Sequence, residues 1–201
     1  MASVQFPLSG PDDGPSGPSD LYEASAADDP GYLASVRSSS TVLGQLRTTV
    51  AALVAAPVLI LAISPLIVPA GQGRLDGLGP LLCLPVLALG AAALVFGPRA
   101  PRPLPPGGTG EAAVRRAGLL FRQAIMFRYA LSEATILVGL PLAMVGRSVW
   151  IFVFAFAVGY PILVWLTVPT TARIEAVRRR LESGGAPSFL WTALLAPPRR
   201  P

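Results

Sequence analysis

The chain alternates long apolar runs with short polar breaks. The first run, "TVAALVAAPVLILAISPLIVPA" at 49–70, holds no charged residue. An α-helix rises about 1.5 Å per residue, so roughly 20 apolar residues cross a hydrocarbon core about 30 Å thick. A polar turn, "GQGRLDG", leads into a second run at 78–97, "LGPLLCLPVLALGAAALVFG". A Pro-, Gly- and Arg-rich stretch at 98–116 then reads as a connecting loop, with a helix able to start near Glu111. The third run is interrupted by Arg122 and Arg128, which places its apolar core at 125–145, with both guanidinium groups snorkelling to the headgroups. The fourth, "SVWIFVFAFAVGYPILVWLTVPT", crosses at 148–168.

The pattern changes character at both ends. Residues 1–40 are rich in Ser, Pro, Gly and Asp and carry too little apolar area to offset the entropy of ordering, so they read as a disordered acidic tail. They lack the basic and apolar regions of a secretory signal peptide. After Pro169, Ile174, Val177 and Leu181 recur at helical spacing opposite Arg173, Arg178, Arg179 and Arg180, and Gly184 and Gly185 end the repeat. This predicts an amphipathic helix within 171–201. Two placements fit it: flat on the membrane surface with its arginines on anionic lipid, or a solvated extension whose charges only mark orientation. The fold class that follows is all-α: a membrane bundle of four transmembrane helices in two hairpins, 41–97 and 117–170, with a disordered N-terminal tail.

Composition sharpens this picture. Of 201 residues, 52% are hydrophobic and only 13% charged, about half the charge of an ordinary soluble domain. All sixteen basic residues are Arg. That bias, with abundant Ala, Gly and Pro, predicts a GC-rich bacterial source. The turns after the first and third spans hold one arginine each, Arg74 and Arg147, and the other fourteen lie on the opposite side. The positive-inside rule then predicts a multi-pass plasma-membrane protein with both termini and the central loop cytoplasmic. Because the arginines flank apolar runs, the basic pI of about 10.3 points to the bilayer and not to nucleic acid.

Few enzyme classes survive. The chain has no His and one Cys, Cys83, so it cannot build a histidine-activated nucleophile, a histidine metal site or an intrachain disulfide. No phosphate-binding or dinucleotide-binding glycine motif is present. Neither a cofactor nor a metal is expected, and the chain reads as a non-enzyme. The expected role is a non-catalytic scaffold or modulator, with a membrane-protein partner or a second copy of the chain as its contact. Arg173, Arg178, Arg179 and Arg180 are the candidate contact residues.

One residue supports a different reading. Glu133 is the only acid inside a span, and a membrane-embedded charge costs several kcal/mol unless function or pairing retains it. Ion or proton handling would use it as the binding carboxylate. A topological role would pair it with Arg128, Arg47 or Arg122 near the headgroups, with Tyr129 its neighbour one turn back.

The surrounding segment, "ALSEATILVGLPLAM" at 130–144, resembles the carboxylate-bearing helix of the F-type ATP synthase c subunit, whose essential Glu binds the transported proton or sodium ion. The resemblance implies that Glu133 binds the ion and Gly139 packs closely. It covers 15 of 201 residues. That family is a two-span hairpin with a glycine repeat in its first helix and the carboxylate on its last. Here no span carries that repeat and a further span follows Glu133. A more distant likeness is to four-span small multidrug exporters, whose membrane Glu lies in the first span.

Two packing signals remain. Prolines occur in every span, as they do in broken transporter helices and in ordinary membrane helices. Pairs of small residues four apart, Ala51/Ala55, Ala93/Gly97, Gly139/Ala143 and Ala155/Gly159, predict close helix approach.

Overall fold

The computed structural model describes residues 24–38, 40–68, 79–99, 101–105 and 110–198. The turn at 71–77 and the first 23 residues of the acidic tail lie outside them. All secondary structure among the described residues is helical. Four stretches are long and apolar enough to cross a membrane, and no more than a third of each one's apolar window is buried within the protein. Leu59, Leu66, Leu87 and Leu94 all stand exposed. Helices apolar on every side but covered on one belong in hydrocarbon. The chain is an integral membrane bundle.

Helix α1 (Tyr32–Ser38) precedes the first span, α2 (Val42–Ile67). Thr41 starts α2 from an extended conformation, its hydroxyl accepting from Gly44 N at 3.1 Å. The second span is broken at Cys83 into α3 (Gly79–Leu82) and α4 (Leu84–Phe96). The third is broken at Val138 into α5 (Gly110–Leu137) and α6 (Gly139–Gly146). Both breaks fall two or three residues before a proline, Pro85 and Pro141, which lacks an N–H and crowds the carbonyl four residues back. Pro57 and Pro161 lie inside α2 and the fourth span, α7 (Val149–Thr167), without ending either. Beyond the spans come α8 (Thr171–Leu181) and α9 (Leu190–Leu195).

Helix α7 is the hub and packs against α2, α4, α5 and α6. The small-residue pairs explain much of this. A Cβ on Gly139 would overlap the Ala155 methyl, and one on Gly159 would lie 2.5 Å from Ile136 Cγ1. Two of the predicted small-residue motifs therefore face each other across α5–α6 and α7. Ala51 and Ala55 are exposed.

A second core lies at the Arg-rich end, beyond the apolar zone. Leu43 and Leu46 of α2, Phe121 of α5, Ile174 of α8 and Leu190 and Trp191 of α9 are all buried there together. The amphipathic C-terminal helix is present, and its apolar stripe is covered by protein: Ile174, Val177 and Leu181 have 0, 3 and 0% exposure. The central connector joins this layer through Leu104 N, which donates to Leu181 O at 2.9 Å. The C-terminal segment joins through Val42 N, which donates to Ala196 O at 3.0 Å. The tail expected to be disordered to residue 40 is folded from Ala24, with a capped 3-10 turn at Ala26–Asp28 leading to α1. Its apolar content is low, and polar contacts to Arg47 hold it instead.

Candidate functional site

Glu133 sits on the flank of α5, half-buried, one turn beyond Tyr129. The Tyr129 hydroxyl donates to Glu133 Oε1 at 2.8 Å and stands 3.5 Å from the Leu53 carbonyl of α2. The register of α5–α6 against α7 fixes its height. With Gly139 opposite Ala155 and Ile136 opposite Gly159, Glu133 comes level with Ile162. That is three residues from Trp165, about 4.5 Å along the helix. Trp150 and Trp165, both exposed near the two ends of α7, occupy the positions of interfacial belts. By that register Glu133 lies about one helical turn from the level of Trp165.

The three arginines considered as its partners make other contacts or stand exposed. Arg47 turns to Asp29, Arg122 is exposed, and Arg128 Nε donates to Gly97 O at 3.0 Å. Among the described residues no ion pair includes Glu133.

The four arginines of α8 separate by face. Arg178 Nε bonds Glu175 at 2.9 Å, and its Nη1 reaches Glu182 at 3.4 Å. Trp191 Nε1 also donates to Glu175. Burial works against the charge on Glu175, yet the bonds from Trp191 and Arg178 outweigh it and hold its carboxyl below the usual range. Arg179 is exposed. Arg173 and Arg180 turn the other way. The Arg173 guanidinium lies 5.2 Å over the Trp165 ring, and Arg180 Nη1 donates to Pro98 O at 2.8 Å. With Arg128 they line one cavity of about 310 Å³ between α5, α7, α8 and the end of α4. Sequence reading grouped Arg173 with its α8 neighbours and left Arg128 snorkelling from the third span; only the fold joins them.

The most buried charge pair was missed. Arg47 is 1% exposed, and its guanidinium forks onto both Asp29 oxygens at 2.8 and 2.7 Å. It also donates to Ser35 Oγ at 2.7 Å and Pro169 O at 3.3 Å, and lies over the Tyr32 ring. Asp29 accepts further bonds from Gly31 N and Thr171 Oγ1, both at 3.0 Å. The Arg47 bonds hold the Asp29 carboxyl below its usual range despite its burial. One side chain thus ties the N-terminal segment, α2 and the α7–α8 junction together. The part legible beforehand was the Asp-Pro-Gly sequence, where an aspartate side chain takes up its own turn's N–H.

No protein-family model matches this sequence, and no curated protein or solved structure matches it either.

Proposed function

We propose that this chain is a bacterial plasma-membrane protein, basic end in the cytoplasm, that acts as a non-catalytic scaffold or modulator of membrane partners. The observation that carries this reading is the folded layer at the basic end. Four helices build a core of their own there, and Arg115, Arg116, Arg122 and Arg179 project from it exposed. A rigid, cationic, water-facing platform on a membrane anchor offers charge complementarity to acidic protein surfaces. The arginine asymmetry supports the orientation. The test is affinity capture from solubilised native membranes with wild-type protein and with an Arg115→Gln, Arg116→Gln, Arg179→Gln variant. A partner set held by the wild type should be lost from the variant at physiological salt; an identical set from both would sink the reading.

A second reading, a small proton- or cation-coupled transporter acting as an oligomer, is favoured by the Tyr129–Glu133 hydrogen bond alone. A carboxylate held by a phenol hydroxyl inside an apolar zone offers a position for a transported proton or cation. In reconstituted vesicles Glu133→Gln should then abolish proton-coupled flux. Flux equal to wild type rules the transporter out.

A further inference from the structure

The cavity beneath Arg173 has a chemistry the scaffold reading does not use. Its wall carries three guanidinium groups, Arg128 of α5 and Arg173 and Arg180 of α8, and no carboxylate is among its lining residues. Arg173 and Arg180 share that wall with Arg128. Burial also pulls the Arg173 guanidinium below its usual pKa, so part of its water is already gone. On the opposite face of α8 Arg178 pairs with Glu175 and Glu182, and those carboxylates lie outside the cavity. Arg128 and Arg180 each donate to a carbonyl at the end of α4, Gly97 O and Pro98 O, and with Arg173 they give the cavity a positive wall that favours an anion.

The rest of the wall selects the kind of anion. Trp165 and Leu166 supply apolar surface, and Trp165 is more than half exposed at the level where α7 leaves the apolar zone. An occupant therefore meets arginine at one end and the hydrocarbon boundary at the other. Guanidinium forks match the oxygens of a phosphate. The volume, about 310 Å³, suits a headgroup whose acyl chains run out along the bundle.

We propose that Arg128, Arg173 and Arg180 form a specific site for the phosphate of an anionic phospholipid headgroup, seated against Trp165. The site does not depend on the scaffold reading. It differs from diffuse attraction of a basic surface to charged lipid because it needs particular arginines and saturates at one lipid per chain.

The experiment is titration of the detergent-purified full chain with dioctanoyl phosphatidylglycerol, read by native mass spectrometry. Dioctanoyl phosphatidylcholine, glycerol 3-phosphate and inorganic phosphate are the comparison ligands. One phosphatidylglycerol should bind at least about tenfold more tightly than phosphatidylcholine, the scale of one charge-assisted hydrogen bond. Arg173→Gln and Arg180→Gln should each weaken it by about tenfold, and Arg179→Gln, exposed outside the cavity, should leave it unchanged. Should Arg173→Gln fail to fold, Arg180→Gln decides, because Arg180 is exposed and its removal leaves no buried group unpaired. Equal binding of the two lipids, or equal loss in Arg179→Gln, overturns the site. Glycerol 3-phosphate or inorganic phosphate binding as tightly as the lipid overturns the headgroup assignment.

Discussion

Arg47→Met is expected to cost about 3–5 kcal/mol of folding stability, the scale for removing one partner of a buried ion pair. The magnitude follows from what is left behind. The Asp29 side chain is 2% exposed, so without Arg47 its charge would have neither water nor a counterion. Ser35 Oγ and the Pro169 carbonyl would lose a donor at the same time. Thermal unfolding in detergent, followed by tryptophan fluorescence, measures the loss. Asp29→Leu combined with Arg47→Met should recover most of it, because replacing both charges with apolar groups removes the desolvation penalty along with the attraction. A single Arg47→Met variant as stable as wild type would show that the pair does not hold the N-terminal segment.

The same pair sets a pH dependence. The folded-state pKa of Asp29 lies below its unfolded value, so the folded chain binds fewer protons. Its stabilisation is therefore full above about pH 4, near the unfolded carboxyl value, and fades as pH falls through the lower folded one. Glu175 is shifted in the same direction. Acid sensitivity should therefore shrink in the double variant without vanishing.

Gly139→Ala is expected to destabilise the bundle by about 1–3 kcal/mol, the range for overpacking a tight contact. Two effects compete. Alanine gains up to about 1 kcal/mol over glycine in helix propensity, but its methyl would overlap that of Ala155, with the Phe152 Cα 3.5 Å away. Neither neighbour is a flexible side-chain end, so α6 has to move off α7, and the clash wins. Adding Ala155→Gly should return most of the stability by reopening the space. Ala51→Leu and Ala55→Leu, on the exposed face of α2, should change little. An unfolding temperature for Gly139→Ala at or above wild type would contradict the close approach.

These outcomes bear on how the chain specifies itself. Four spans, the arginine asymmetry, the apolar stripe on α8 and the Gly139/Ala143 and Ala155/Gly159 pairs were all legible in the sequence. Each is a regularity along the chain, set by helix pitch and by the cost of burying charge in hydrocarbon. What covers the stripe of Ile174, Val177 and Leu181 was not legible, because lipid and protein demand the same apolar face. Only the packing of α2, α5 and α9 around α8 made it a protein core. Pairing was equally hidden. Arg47 chooses Asp29, Glu133 takes Tyr129, and Arg128 meets Arg173 and Arg180, since which polar groups become neighbours depends on how whole helices cross.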